Sequence, residues 1–240
     1  MKTTIRNINV NYIQYGSGSD VVLLHGWGQN IEMMKPIGDR LQKHHRITIL
    51  DFPGFGESEE PKEALTIYDY CDVLEELLKK LKVKKPVVMG HSFGGRVAIV
   101  YASRNDVEKV VLFGSPCIKT NNSESLKVKI LKALKKVPIL NKLEGFAKKH
   151  LGSRDYKNAS EVMRKILVNV VNEDLSECAK KIKVPTLLIW GDRDTEAPLE
   201  DAKKLEKLID DCGLIVIPGA THYAYLERLP QVINILNNFL

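Results

Sequence analysis

Six short apolar runs, separated by stretches of helical periodicity, constrain this chain more than any other feature of its sequence. They are Val21 to Leu24, Ile47 to Leu50, Pro86 to Met89, Val110 to Phe113, Thr186 to Trp190 and Leu214 to Ile217. Their length and β-branched content predict buried strands. An earlier segment, with Ile8, Val10 and Tyr12 alternating with asparagines before Gly16-Ser17-Gly18, reads as a half-exposed strand ending in a turn. Between the runs, Ile67 to Leu81 and Leu199 to Ile209 carry apolar residues at three and four spacings, the pattern of an amphipathic helix. Strands alternating with helices predict an α/β fold with a mainly parallel central sheet covered by helices on both faces. At 240 residues and 44% hydrophobic, one such core is expected without further division.

The alternation breaks once. From Ser115 to Pro185 the pattern is helical throughout, punctuated by Pro138 and Gly152. We therefore expect a core made of residues 1–116 and 184–240, with a helical cap at 117–183 inserted into it. Within Leu126 to Val137, Leu126, Ile130, Ala133, Leu134 and Val137 share one helical face and Lys129, Lys132, Lys135 and Lys136 another. The segment 119–183 holds 16 basic and 7 acidic residues, a local balance of +9 against +6 for the whole chain. All the excess charge lies in this one place. It is either a solvated lysine face or a landing surface for an acidic partner or anionic substrate. No aromatic interleaving or known binding motif accompanies the lysines, so nucleic acid is not the expected partner.

The four cysteines, Cys71, Cys117, Cys178 and Cys212, have neither metal-binding nor oxidoreductase spacing and are expected to be buried reduced thiols. Met1 to Asn11 lacks the apolar core of an export signal, and no run approaches the length needed to span a bilayer. A cytoplasmic protein is expected, with no metal or organic cofactor implied.

Gly90-His91-Ser92-Phe93-Gly94-Gly95 follows the third apolar run and precedes a helical stretch from Arg96 to Ala102. A serine on a sharp strand-to-helix turn has its oxygen lifted clear of the sheet edge, which is one way to present a weak nucleophile. Such a serine needs a base, and the base needs an acid to orient it. Of the six histidines, His25 and His222 each follow a buried strand, where a parallel sheet delivers its loops to one edge. His222, in Pro218-Gly219-Ala220-Thr221-His222 after the final strand, is chosen as the base. Asp194, in Trp190-Gly191-Asp192-Arg193-Asp194, reaches further over the edge than Asp192 and is chosen as the acid, leaving Asp192 to brace the loop. Donors for the oxyanion are expected from the backbone N–H groups of Phe93, at the start of the helix, and Trp27, in His25-Gly26-Trp27-Gly28. The Trp27 indole is expected to line the acyl pocket.

Taken with Asp51-Phe52-Pro53-Gly54-Phe55-Gly56-Glu57-Ser58, these motifs resemble, in order, those of the α/β-hydrolase family. The resemblance implies a Ser92, Asp194, His222 triad, a bracing role for the Asp51 to Ser58 turn, and a cap where the strand pattern is interrupted. Serine at position 92 argues against the members whose nucleophile is aspartate. Within the family, Trp27 and Ser115-Pro116-Cys117 resemble an esterase that cleaves a methyl ester of a carrier-bound acyl chain, which implies an acidic carrier protein at the basic cap. The expected activity is hydrolysis of a small or medium-chain carboxylic ester through an acyl-enzyme. Carbon–carbon bond hydrolysis, thioester cleavage and a non-enzymatic ligand receptor on the same fold stay open, because fold does not set function.

Overall fold

The computed structural model describes residues 1–118 and 159–240. Eight strands form one sheet: β1 (Lys2–Ile5), β2 (Ile8–Gly16), β3 (Ser19–Leu24), β4 (His45–Leu50), β5 (Val87–His91), β6 (Lys109–Phe113), β7 (Thr186–Gly191) and β8 (Cys212–Ile217), in the spatial order β1-β2-β4-β3-β5-β6-β7-β8. The first two strands pair antiparallel, as do β2 and β4, and every later pair is parallel. The expected α/β architecture with a mainly parallel sheet is what the chain adopts.

Strand periodicity explains why helices must cover both faces. Val22, Leu24, Val88, Val110, Leu112, Leu188 and Trp190 enter one apolar cluster, while their strand neighbours Val21, Leu23, Val87, Met89, Val111, Leu187 and Ile189 enter another. Alternate side chains of a strand point to opposite faces, so runs that are apolar throughout demand two cores. On the first face lie α2 (Ile67–Lys80), α3 (Phe93–Ala102) and α6 (Leu199–Leu208), which contribute Leu74, Val97 and Leu205; α1 (Ile31–Leu41) and the C-terminal α8 (Leu229–Phe239) cover the second through Met34, Ile37, Val232 and Leu236. The start of α2 is set by Thr66, whose hydroxyl accepts from Asp69 N–H while the Asp69 carboxylate accepts from Thr66 N–H.

Two expectations need revision. The last strand, β8, was expected to be buried, but as the outermost strand beside β7 it is half-exposed along most of its length. An apolar run cannot distinguish a central strand from an edge strand covered on one side. Likewise, Cys71 and Cys117 are buried, whereas Cys178 and Cys212 are only partly so.

Between β6 and β7 the described residues form α4 (Glu161–Asn172) and the short α5 (Ser176–Ala179). The amphipathic lysine-rich stretch Leu126 to Val137 lies outside the described residues. After β8 comes the one-turn helix α7 (Ala224–Glu227).

Sheet order decides where a site can form. From β3 the chain passes to β4 on one side, then returns to β5 on the other. The loops leaving β3 and β5 therefore diverge at the carboxyl edge and open a crevice between them. His25 to Gly28 leaves one of these strands and Ser92 leaves the other.

Candidate active site

Ser92 has φ 50° and ψ −111°, a left-handed conformation that a residue with a Cβ reaches only under strain. The surroundings enforce it. Ser92 N–H donates to Phe113 O of the neighbouring strand at 3.0 Å, and the two flanking glycines let strand, helix and loop close around the turn. A Cβ on Gly90 would stand 2.4 Å from Gly94 O, and one on Gly94 would stand 2.3 Å from Leu24 O. Backbone carbonyls cannot yield, so neither position accepts a side chain without displacing the turn. Phe93 opens α3, and its N–H is among the first-turn donors that a helix leaves without an intrahelical acceptor.

His222 is 5% exposed, and its Nδ1 lies 2.8 Å from Asp194 Oδ2. The other oxygen of that carboxylate, Oδ1, accepts from Glu196 N–H at 2.9 Å and Ala197 N–H at 2.8 Å. One carboxylate oxygen is thus anchored to the backbone and the other holds the imidazole. This division fixes the ring's orientation and places the shared proton on Nδ1. Gly114 passes beneath the pair, and a Cβ there would lie 3.1 Å from both Asp194 Oδ2 and His222 Nδ1. Asp192 does what its place after the turn glycine suggested: its Oδ1 accepts from Gly219 N–H at 2.7 Å, tying the Asp194 loop to the His222 loop.

Ser92, Trp27 and Phe93 share the wall of a cavity of about 720 Å³, and the indole of Trp27 stacks edge-on against Phe93 and Phe55. No hydrogen bond among the described residues joins Ser92 Oγ to His222. The Nε2 of that ring stands 3.6 Å from Glu196 Oε2.

His25 and His91 are held in other work. His25 Nδ1 donates to Gly26 O at 2.7 Å, its Nε2 accepts from Phe52 N–H at 3.0 Å, and complete burial lowers its pKa to about 4. With both nitrogens committed, it links the β3 and β4 loops and has no free lone pair for a base. His91 Nε2 lies 3.1 Å from His222 O, and burial, aided by the adjacent His222, lowers its pKa to about 3. It supports the His222 loop as a neutral ring. Asp51 braces as the turn motif implied, with Oδ1 accepting from Ile31 N–H at 2.7 Å and Oδ2 from Glu57 N–H at 2.9 Å.

Two residues at the cavity escaped the sequence reading. Glu196 follows Asp194 by two positions and meets His222 only because its loop folds back. Arg96 follows Ser92 by four, a spacing that places it one turn along the same side of α3. That spacing was a usable signal.

A family model described as alpha/beta hydrolase fold matches residues 21–138. The pimeloyl-[acyl-carrier protein] methyl ester esterase of Aliivibrio fischeri is 26% identical over 94% of this chain and 95% of its own length. The 2-hydroxy-6-oxo-6-(2'-aminophenyl)hexa-2,4-dienoic acid hydrolase of Metapseudomonas resinovorans is 26% identical over 97% of this chain and 88% of its own. Among solved structures, the bromoperoxidase from Bacillus anthracis superposes with a TM-score of 0.79 at 22% identity, covering 97% of this chain and 95% of that one.

Proposed function

Because this chain belongs to the α/β-hydrolase family, we propose that it is a serine hydrolase of small or medium-chain carboxylic esters, with Ser92, His222 and Asp194 as its triad. The observation that carries this reading is the 2.8 Å contact between His222 Nδ1 and Asp194 Oδ2 at the sheet edge that also bears the strained Ser92. Ser92 Oγ attacks the ester carbonyl as His222 Nε2 takes its proton. The carbonyl π electrons move onto oxygen, where the N–H groups of Trp27 and Phe93 stabilise the charge, each such donor contributing about 3 kcal/mol. Collapse of this intermediate expels the alcohol, which receives the proton from His222. Water then attacks the acyl-enzyme by the same route, releasing the acid and restoring Ser92. Asp194 holds the imidazole in the productive tautomer and stabilises its positive charge between these transfers.

In this reading 117–183 forms a cap over the cavity, and its excess positive charge receives an acidic carrier protein bearing the acyl chain. The local balance of +9 and the carrier named for the Aliivibrio fischeri relative support that partner.

Labelling with a fluorophosphonate, alongside hydrolysis of p-nitrophenyl esters from acetate to dodecanoate, tests the chemistry. Wild type should label and turn over repeatedly. Ser92→Ala should not label and should lose at least about a thousandfold in kcat. Labelling that persists in Ser92→Ala rules out the nucleophile. A single burst without turnover favours the receptor reading.

A further inference from the structure

Arg96 carries a charge for which the described residues provide no anion. It is 5% exposed and lines the same cavity as Ser92. Its Nη1 donates to Pro116 O and its Nη2 to Glu173 O at 2.5 Å, while the buried Nε has no partner among the described residues. Both acceptors are neutral carbonyls, and no carboxylate among the described residues lies within ion-pair distance of the guanidinium. Glu173 and Asp174 favour its charge from further away, but burial outweighs them and draws its pKa below the usual arginine value. The Glu173 side chain is itself engaged, accepting from Tyr68 Oη at 3.3 Å. A guanidinium has five N–H donors, of which two are used among the described residues, and a buried cation left without an anion is costly.

The position makes that cost informative. Four residues along α3 advance on the order of 6 Å, a distance that a few carbon atoms span. Trp27, Ile118 and Val170 give apolar walls to the same cavity, which suit methylene groups. The carboxylates of Glu196, Glu200 and Asp201 also line it, but the first two are largely exposed and Asp201 lies 3.7 Å from Lys204. Exposed carboxylates are screened by solvent and salt, whereas the buried guanidinium is not.

Building on the serine hydrolase reading, we propose that the substrate is an ester whose acyl chain ends in a carboxylate, held by Arg96 while Ser92 attacks the carbonyl a few carbons away. Planar two-point recognition of a carboxylate is what a guanidinium does best, and it pairs the anion without moving a proton. Arg96 would then measure acyl length, because the carboxylate and the scissile carbonyl must reach their sites together.

The experiment compares monomethyl glutarate and monomethyl adipate with methyl pentanoate and methyl hexanoate, of matching acyl length, on the full chain. Wild type should favour the half-esters by about tenfold or more in kcat/KM, chiefly through KM, as expected of a charge-assisted hydrogen bond. In Arg96→Gln the ratio between half-ester and neutral ester should fall to about one, with Arg96→Lys keeping part of it. If Arg96 serves only to clasp Pro116 and Glu173, its loss slows both esters alike; an unchanged ratio overturns the proposal, as does a wild-type preference for neutral esters. Should the variants fail to fold, wild type alone decides. Glutarate and adipate should slow fluorophosphonate labelling at concentrations where pentane-1,5-diol and hexane-1,6-diol do not, and equal protection, or none, overturns the proposal. Wild type that never labels removes the serine hydrolase reading and this inference together; wild type that labels but favours neutral esters removes only this inference.

Discussion

Asp194 and Asp192 show how two identical side chains, two residues apart, come to different tasks. Asp194 divides its oxygens between the backbone N–H groups of Glu196 and Ala197 and the His222 imidazole, whereas Asp192 accepts from Gly219 N–H. In the proposed triad, replacing Asp194 by asparagine keeps the shape but presents an amide that favours the wrong tautomer of His222. Asp194→Asn should therefore lower kcat by about 10⁴. Asp192→Asn retains an acceptor for Gly219 and should change kcat by no more than a few-fold. Steady-state kinetics of both variants on one p-nitrophenyl ester decides, and the reverse order would move the acid's role to Asp192. The loop positions of both residues were legible from Trp190 to Asp194, but the lining role of Arg96 was not. Its i+4 relation to Ser92 was visible, yet that its neighbours among the described residues are the carbonyls of Pro116 and Glu173 depends on how distant loops pack around it.

At the scale of elements, strand and helix types followed from periodicity, with α2 ending within a residue of its expected limit. The first strand went unread because Lys2 to Ile5 is short and polar, and pairs with β2 at the exposed sheet edge. The basic segment 119–183 carries a prediction of its own. If it receives an acidic carrier protein, kcat/KM on a carrier-linked ester should fall at least about tenfold as ionic strength rises from about 0.05 to 0.5 M, because the Debye length shrinks below the spacing of the facing charges. Hydrolysis of a small neutral ester should barely change over the same range. Parallel salt dependences for the two substrates would assign the lysines to solvation alone.

The whole molecule responds to pH through histidines that it keeps neutral. Burial lowers the pKa of His25 to about 4 and of His91 to about 3, below their unfolded value of about 6.5. Between those limits the unfolded chain binds more protons, so stability rises with pH. The contribution of each ring is complete above about pH 6.5 and is lost as pH falls to about 4 for His25 and about 3 for His91. Each can change stability by up to about 1.4 kcal/mol per pH unit within its window. Urea unfolding at pH 7 and at pH 5 should show lower stability in acid, with a shallower loss in His91→Gln. An identical pH slope in that variant would mean that His91 does not contribute to it.

What the sequence determined by itself was local or periodic: strands from apolar runs, helices from their spacing, and the strand-to-helix turn at Ser92 from the glycines around it. Chain order also implied which loops could meet, since parallel strands deliver their carboxyl ends to one edge. Tertiary structure alone decided what depends on close approach between distant segments. It brought Asp194 to 2.8 Å from His222, occupied both nitrogens of His25, and enclosed Arg96 between two neutral carbonyls. Burial and partnership belong to the packed assembly, and no spacing along a single segment encodes them.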